Sequence, residues 1–216
     1  MKRMWVSGLC AALLIAAGPL FAAPGIEAVN HDDYRPGLAA HYYGDPDQWD
    51  GLWPNGLPCP SVSAADWTFT SYKYTREEPL VNHQFIHRGW FSVRWQGYLD
   101  TVPAGARGEE AAYTFSIWAD DGCRLFLDDQ KLIDDWRPCA QDDPSAVRTA
   151  TVTLTPGKHK IVVEYFQGQS LQHDDRDPMK LYWECEGRHI PCQIVPASHF
   201  SHKAADLQPT PGRLDR

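Results

Sequence analysis

Apolar residues recur at every second position over much of this chain, the period of a strand with one face buried. In F-S-V-R-W-Q-G-Y-L, Phe91, Val93, Trp95 and Leu99 share one side, and Ser92, Arg94, Gln96 and Tyr98 share the other. Tyr113, Phe115 and Ile117 alternate with Thr114, Ser116 and Trp118. Arg148, Ala150, Val152 and Leu154 alternate with threonines, and His159, Ile161, Val163 and Tyr165 with Lys160, Val162, Glu164 and Phe166. Met179, Leu181 and Trp183 mark one face of a further strand. Residues 37–43, 123–127, 131–133 and 190–196 complete the expected strands, while 65–74 fits either a strand or an irregular segment. Asp128-Asp129-Gln130 reads as a hairpin turn and Thr155-Pro156-Gly157 as another turn. No helical period of useful length and no internal repeat interrupts this. Many short alternating strands predict an all-β antiparallel sandwich or barrel.

The breaks between strands carry the chemistry. Asp120-Asp121-Gly122 ends the strand at 113–119, setting two carboxylates side by side on what reads as an exposed loop. Residues 167–178, Q-G-Q-S-L-Q-H-D-D-R-D-P, form a second acidic loop. Residues 44–60 are rich in Gly, Pro, Asp and Trp, and Trp49 and Trp53 are either ligand platforms or packing for that loop. His83 and His87 would share a helix face suited to zinc, but Gly89 follows and no helix signal supports them.

The first 23 residues carry Lys2 and Arg3, then an apolar run closed by Ala22 and Ala23, which predicts a secretory signal peptide. The competing reading, an uncleaved anchor, meets a short run broken by Gly18-Pro19. Residues 24–36 would be a flexible leader, 37–200 a single domain and 201–216 a flexible tail. Cleavage takes the net charge from −8 to −10, with 18 basic against 28 acidic residues. That balance argues against nucleic acid, which needs a basic patch, and no later segment suits a membrane span. The expected location is periplasmic or extracellular. Export permits disulfides among Cys59, Cys123, Cys139, Cys185 and Cys192. Cys185 and Cys192 flank a short connection and are the first candidate pair, Cys123 and Cys139 the second.

Four stretches, in order, resemble the β-sandwich named after the N-terminal part of anthrax protective antigen, the PA-fourteen domain. They are G-L-A-A-H-Y-Y, F-S-V-R-W-Q-G-Y-L, the run from Tyr113 to Trp136, and L-T-P-G-K-H-K-I-V-V-E-Y with M-K-L-Y-W-E. The departures are the cysteines and Asp129-Gln130, where the family usually turns with Asp-Gly. The resemblance implies a non-catalytic binding module of the kind found in toxins, glycosidases and flocculin-type adhesins. In sugar-binding members two adjacent aspartates joined by a cis peptide hold calcium, and sugar hydroxyls complete the metal's shell. The matching residues here are Asp120 and Asp121. The family's second ligand loop corresponds to 167–177, where Gln167, Gln169, Asp174 and Asp175 are the oxygen donors; the asparagine of sugar-binding members has no clear match. Asp128, Asp129, Asp134 and Asp135 read as turn and surface charge, and Trp136 as core. The implied partner is a glycan or cell-surface polysaccharide. The alternative is an envelope protein-interaction or structural module of the same fold without sugar. No Ser-His-Asp, His-Glu-x-x-His or apolar carboxylate pair points to an enzyme.

Overall fold

A computed structural model describes residues 33–44, 68–85, 90–101, 108–139, 142–168 and 177–210. Among the described residues thirteen strands follow in order: β1 (Arg35–Pro36), β2 (Leu38–Gly44), β3 (Ser71–Glu78), β4 (Asn82–Phe85), β5 (Phe91–Asp100), β6 (Ala111–Ala119), β7 (Gly122–Leu127), β8 (Gln130–Asp135), β9 (Val147–Leu154), β10 (Lys158–Gln167), β11 (Asp177–Cys185), β12 (Ile190–Ile194) and β13 (Phe200–His202). They form two antiparallel sheets. The first runs β1-β13-β5-β10-β7-β8, with β2 also on β5 and β3 on β2; the second runs β12-β11-β6-β9, with β4 on β11. The fold is the expected all-β antiparallel sandwich, and the helical turns among the described residues are short 3-10 segments.

The alternating residues meet between the sheets. Val93, Trp95, Leu125, Ile161 and Val163 from one sheet join Phe115, Ile117, Leu181 and Trp183 from the other in one cluster, each at most 1% exposed. Burying each such side chain stabilises by about 1.5–3 kcal/mol. The β7–β8 hairpin turns on Asp128 and Asp129, both at positive φ (48° and 64°), as a two-residue turn with two left-handed positions requires. Asp128 tolerates this because its carboxylate is held, by His159 Nδ1 at 2.6 Å and by the Lys160 amide at 2.9 Å.

The outward residues of the first sheet are a different matter. Thr75, His41, Arg94, Glu164, Arg124 and Asp134 stand in one row across β3, β2, β5, β10, β7 and β8. Arg94 and Glu164 are fully buried there, with Arg94 donating to Oε1 through Nε at 2.8 Å and Nη2 at 2.6 Å. Arg124 adds Nη1 to Oε2 at 3.4 Å and Nε to Asp134 Oδ1 at 2.8 Å. Aromatic rings lie over the row: Phe69 under the Arg94 guanidinium and Trp136 under that of Arg124, each at 4.3 Å. Trp136 also meets Phe166 at 4.8 Å, so it packs, as expected.

Two expectations are corrected. Residues 201–210 are not a loose tail. Ser201 and His202 are buried in β13, and the following segment crosses the first sheet, its Asp206 carbonyl bonded to His41 Nε2 and Gln96 Nε2 and its Thr210 carbonyl to Arg94 Nη1. The polar composition that suggested disorder overlooked the side chains waiting for those carbonyls. Nor are Cys185 and Cys192 bonded: both are free thiols, as is Cys123. Cys185 pairs with Ile190 beyond a register shift and is buried, whereas Cys192 is exposed. The expected signal peptide, Cys59, Trp49, Trp53 and His87 lie outside the described residues.

At the β3–β4 side a second buried carboxylate gathers donors. Glu78 accepts from the Tyr42 hydroxyl at 2.6 Å, from Arg76 Nε and from Trp95 Nε1, and lies 2.9 Å from His83 Nε2. Burial alone would raise its pKa. The bonds from His83, Tyr42 and Trp95 outweigh that and bring it from 4.5 to about 2.

Candidate functional site

The aspartate pair sits where the chain leaves one sheet for the other. The Asp120 amide donates to Pro178 O of β11 at 3.1 Å, and the Asp121 amide to Phe166 O of β10 at 3.4 Å. The peptide bond between them is cis. Gly122 follows for a steric reason. A Cβ there would lie 2.1 Å from Cε1 of Phe166, so only glycine lets that ring lie against the backbone.

The two carboxylates have different surroundings. Asp120 is half-buried. Asp121 is buried, at 9% exposure, rather than lying on an exposed loop. Its Oδ1 accepts the Cys139 amide at 2.8 Å and its Oδ2 the Gly168 amide at 2.7 Å. Burial pushes its pKa up, and the two amides and the nearby Arg148 only partly counter this.

The acidic loop begins and ends beside this pair. At one end Gly168 holds Asp121; at the other, Pro178 holds Asp120 and Asp177 is buried. Between them stands Tyr165, whose hydroxyl is a donor for the Asp120 carbonyl and for Gln167 Oε1, the latter at 2.6 Å. Burial first, then the charges of Asp177, Asp121 and Asp120, hold this phenol far above its usual pKa. Of the expected ligand residues, Gln167 is thus brought to the pair, although buried and with Oε1 on Tyr165 and Nε2 on Gly168 O at 3.0 Å. Gln169, Asp174 and Asp175 lie outside the described residues. Among the described residues no three His, Cys, Asp or Glu side chains group closely enough to hold a metal. Asp128, Asp129, Asp134 and Asp135 lie on the hairpin and pair with His159, Lys160, Arg124 and Arg148.

Two residues behind the pair were not singled out from sequence. Tyr165 had no signal beyond its place at the end of an alternating strand. Arg148 had one: it occupies the inward phase of β9, with Ala150, Val152 and Leu154, where a charge needs partners. It finds four, donating from Nη1 to Ala119 O (2.6 Å) and Ala146 O (2.8 Å), from Nη2 to Asp121 O (3.2 Å) and from Nε to Asp135 Oδ2 (2.7 Å).

The sequence pattern of the PA14 domain matches residues 71–196, more than half of the chain and all of the site's elements. The chain belongs to the PA14 domain family. It is 29% identical over 141 residues to the anti-sigma-I factor RsgI3 of Acetivibrio thermocellus, a match covering 61% of this chain and 19% of that protein. An anti-sigma factor domain-containing protein superposes with a TM-score of 0.54 at 22% identity, covering 78% of this chain and 48% of the other. A PA14 sugar-binding domain from an RTX adhesin does so with a TM-score of 0.52 at 15% identity, covering 77% and 98%. These structural likenesses speak for the fold. The chain spans a fifth of the curated relative and about half of the first solved structure.

Proposed function

We propose that this chain is an exported, non-catalytic carbohydrate-binding module that recognises a glycan through calcium held at Asp120 and Asp121. The observation that carries this is the closure of the acidic loop on the pair, with Gly168 bonded to Asp121 and Pro178 to Asp120. One of these bonds is to the Asp121 carboxylate and the other to the Asp120 backbone amide. Calcium takes about six to eight oxygen ligands, mostly carboxylates and carbonyls. The donors here are of that hard type: the half-buried Asp120 carboxylate, the remaining lone pairs of Asp121, and nearby carbonyls. When bound, the ion supplies a Lewis-acidic point for vicinal sugar hydroxyls. The chain's own residues supply the rest: Cys139 and Gly168 orient Asp121, and Tyr165 fixes the Asp120 carbonyl. The sugar-binding PA14 domain with the same fold supports the glycan as ligand.

The anti-sigma relatives favour a second reading, a module that binds protein at the envelope without sugar. A calcium titration followed by a glycan-array screen, with and without chelator, separates the two. Glycan binding that chelator removes is the expected result. No calcium binding at millimolar concentration, with no glycan retained, returns the protein-binding module.

A further inference from the structure

Arg148 ties three carbonyls to one guanidinium. Two of them, of Ala119 and Asp121, flank Asp120 in the chain, and the third, of Ala146, lies just before β9. The side chain is 8% exposed and its charge is matched by Asp135 at 2.7 Å. We propose that Arg148 is the positioning residue of the aspartate pair, fixing the backbone on both sides of Asp120 so that its carboxylate is presented in one orientation. The inference rests on the calcium reading above.

The geometry divides the labour. Asp121 is held by its side chain, through the amides of Cys139 and Gly168. The carbonyls on either side of Asp120 are gripped from β9, the neighbouring edge strand. A planar fork with several fixed N–H donors can span separate carbonyls, whereas an ammonium is a compact point charge on a flexible stem. Residues that orient a metal's ligands commonly change metal affinity by about 10–100-fold when replaced.

The electrostatic alternative predicts the opposite sign. A guanidinium behind a cation site repels the cation, so neutralising it should tighten calcium binding if charge were its only influence. A positioning role means that neutralising it weakens binding. Calorimetric titration of calcium itself into wild type, Arg148→Gln and Arg148→Lys decides between them, with melting curves in chelator to monitor the fold. The expected result is a calcium Kd raised about tenfold or more in both variants, because Lys keeps the charge but not the fork. Unchanged or tighter binding in either folded variant overturns the proposal. A drop in chelator melting temperature alone, with Kd unchanged, marks Arg148 as merely structural and also overturns it. Should Arg148→Gln fail to fold, Arg148→Lys decides. Absence of calcium binding in wild type is a separate outcome, which removes the calcium reading itself.

Discussion

The Gly168 amide donates to Asp121 Oδ2 at 2.7 Å, tying the start of the acidic loop to the second aspartate of the pair. Together with the Cys139 amide on Oδ1, it makes Asp121 part of the structure as well as a candidate ligand. The two aspartates should therefore respond differently to substitution. Asp121→Ala leaves two backbone donors without their acceptor, a loss of about 1–3 kcal/mol for each that stays buried and unsatisfied. Asp120→Asn, at a half-buried position, should keep the stability of wild type in chelator and lose the stabilisation by calcium, which is about 2.7 kcal/mol at a hundredfold excess over Kd. Urea unfolding of both variants, with calcium and with chelator, tests this; equal chelator stability for wild type and Asp121→Ala would contradict it.

Asp121 and Glu78 should give opposite pH signatures. Burial raises the pKa of Asp121, so without calcium its ionisation opposes folding. Its contribution is present below its unfolded pKa and lost as pH rises through the raised folded value. Protons compete for the same carboxylate, so calcium affinity should fall as pH drops through that raised value. Glu78 is depressed from 4.5 to about 2, so its contribution is full above about 4.5 and lost as pH falls towards 2. That shift corresponds to about 3 kcal/mol. Glu78→Gln should cost about that much at pH 7, and the gap from wild type should close between pH 4.5 and 2 in denaturant titrations. A gap that stays constant over that window excludes the assignment.

Glu164 carries the charge balance of two buried arginines. Glu164→Gln leaves Arg94, fully buried, without its carboxylate, and should destabilise by about 3–5 kcal/mol. Unfolding by urea measures it. A change below about 1 kcal/mol would mean that water or another acid replaces the pair.

Cys123, Cys185 and Cys192 should separate by reactivity. Cys192 is exposed and should label within the dead time of a thiol reagent in native buffer. Cys185 and Cys123 are buried, and burial pushes the Cys123 pKa up to about 12, so these two should wait for unfolding. Peptide mapping after a brief native pulse shows whether Cys192 alone of the three is modified.

The sandwich was legible because alternation reports which face a side chain takes. Phe91, Val93, Trp95, Phe115 and Ile161 were all placed inward correctly. Alternation does not report what lies on the other face. Arg94 and Glu164 fall on the face opposite the apolar residues, yet rings from Phe69 and Trp136 and a carbonyl from Thr210 cover Arg94 and Arg124, contacts made by residues distant in sequence. At the site, the adjacent acids and the loop that meets them could be read from the chain. The burial of Asp121 could not, because it depends on amides at Cys139 and Gly168 arriving from two other segments. Arg148 could have been found as a charge in phase with Ala150, Val152 and Leu154 of its own strand.

The row from Thr75 to Asp134 also bears on how the strands find one another. A sheet whose inner face is uniformly apolar penalises a one-residue slip, since that turns every inward side chain outward. A two-residue slip keeps the inner face apolar and goes largely unpunished by hydrophobic burial. Slide β10 two residues along β5, however, and Arg94 faces Val162 or Phe166 in place of Glu164. The same slip against β7 takes Glu164 away from Arg124. The buried charges thus act as an alignment key, selecting one strand pairing among those that greasy packing alone would accept.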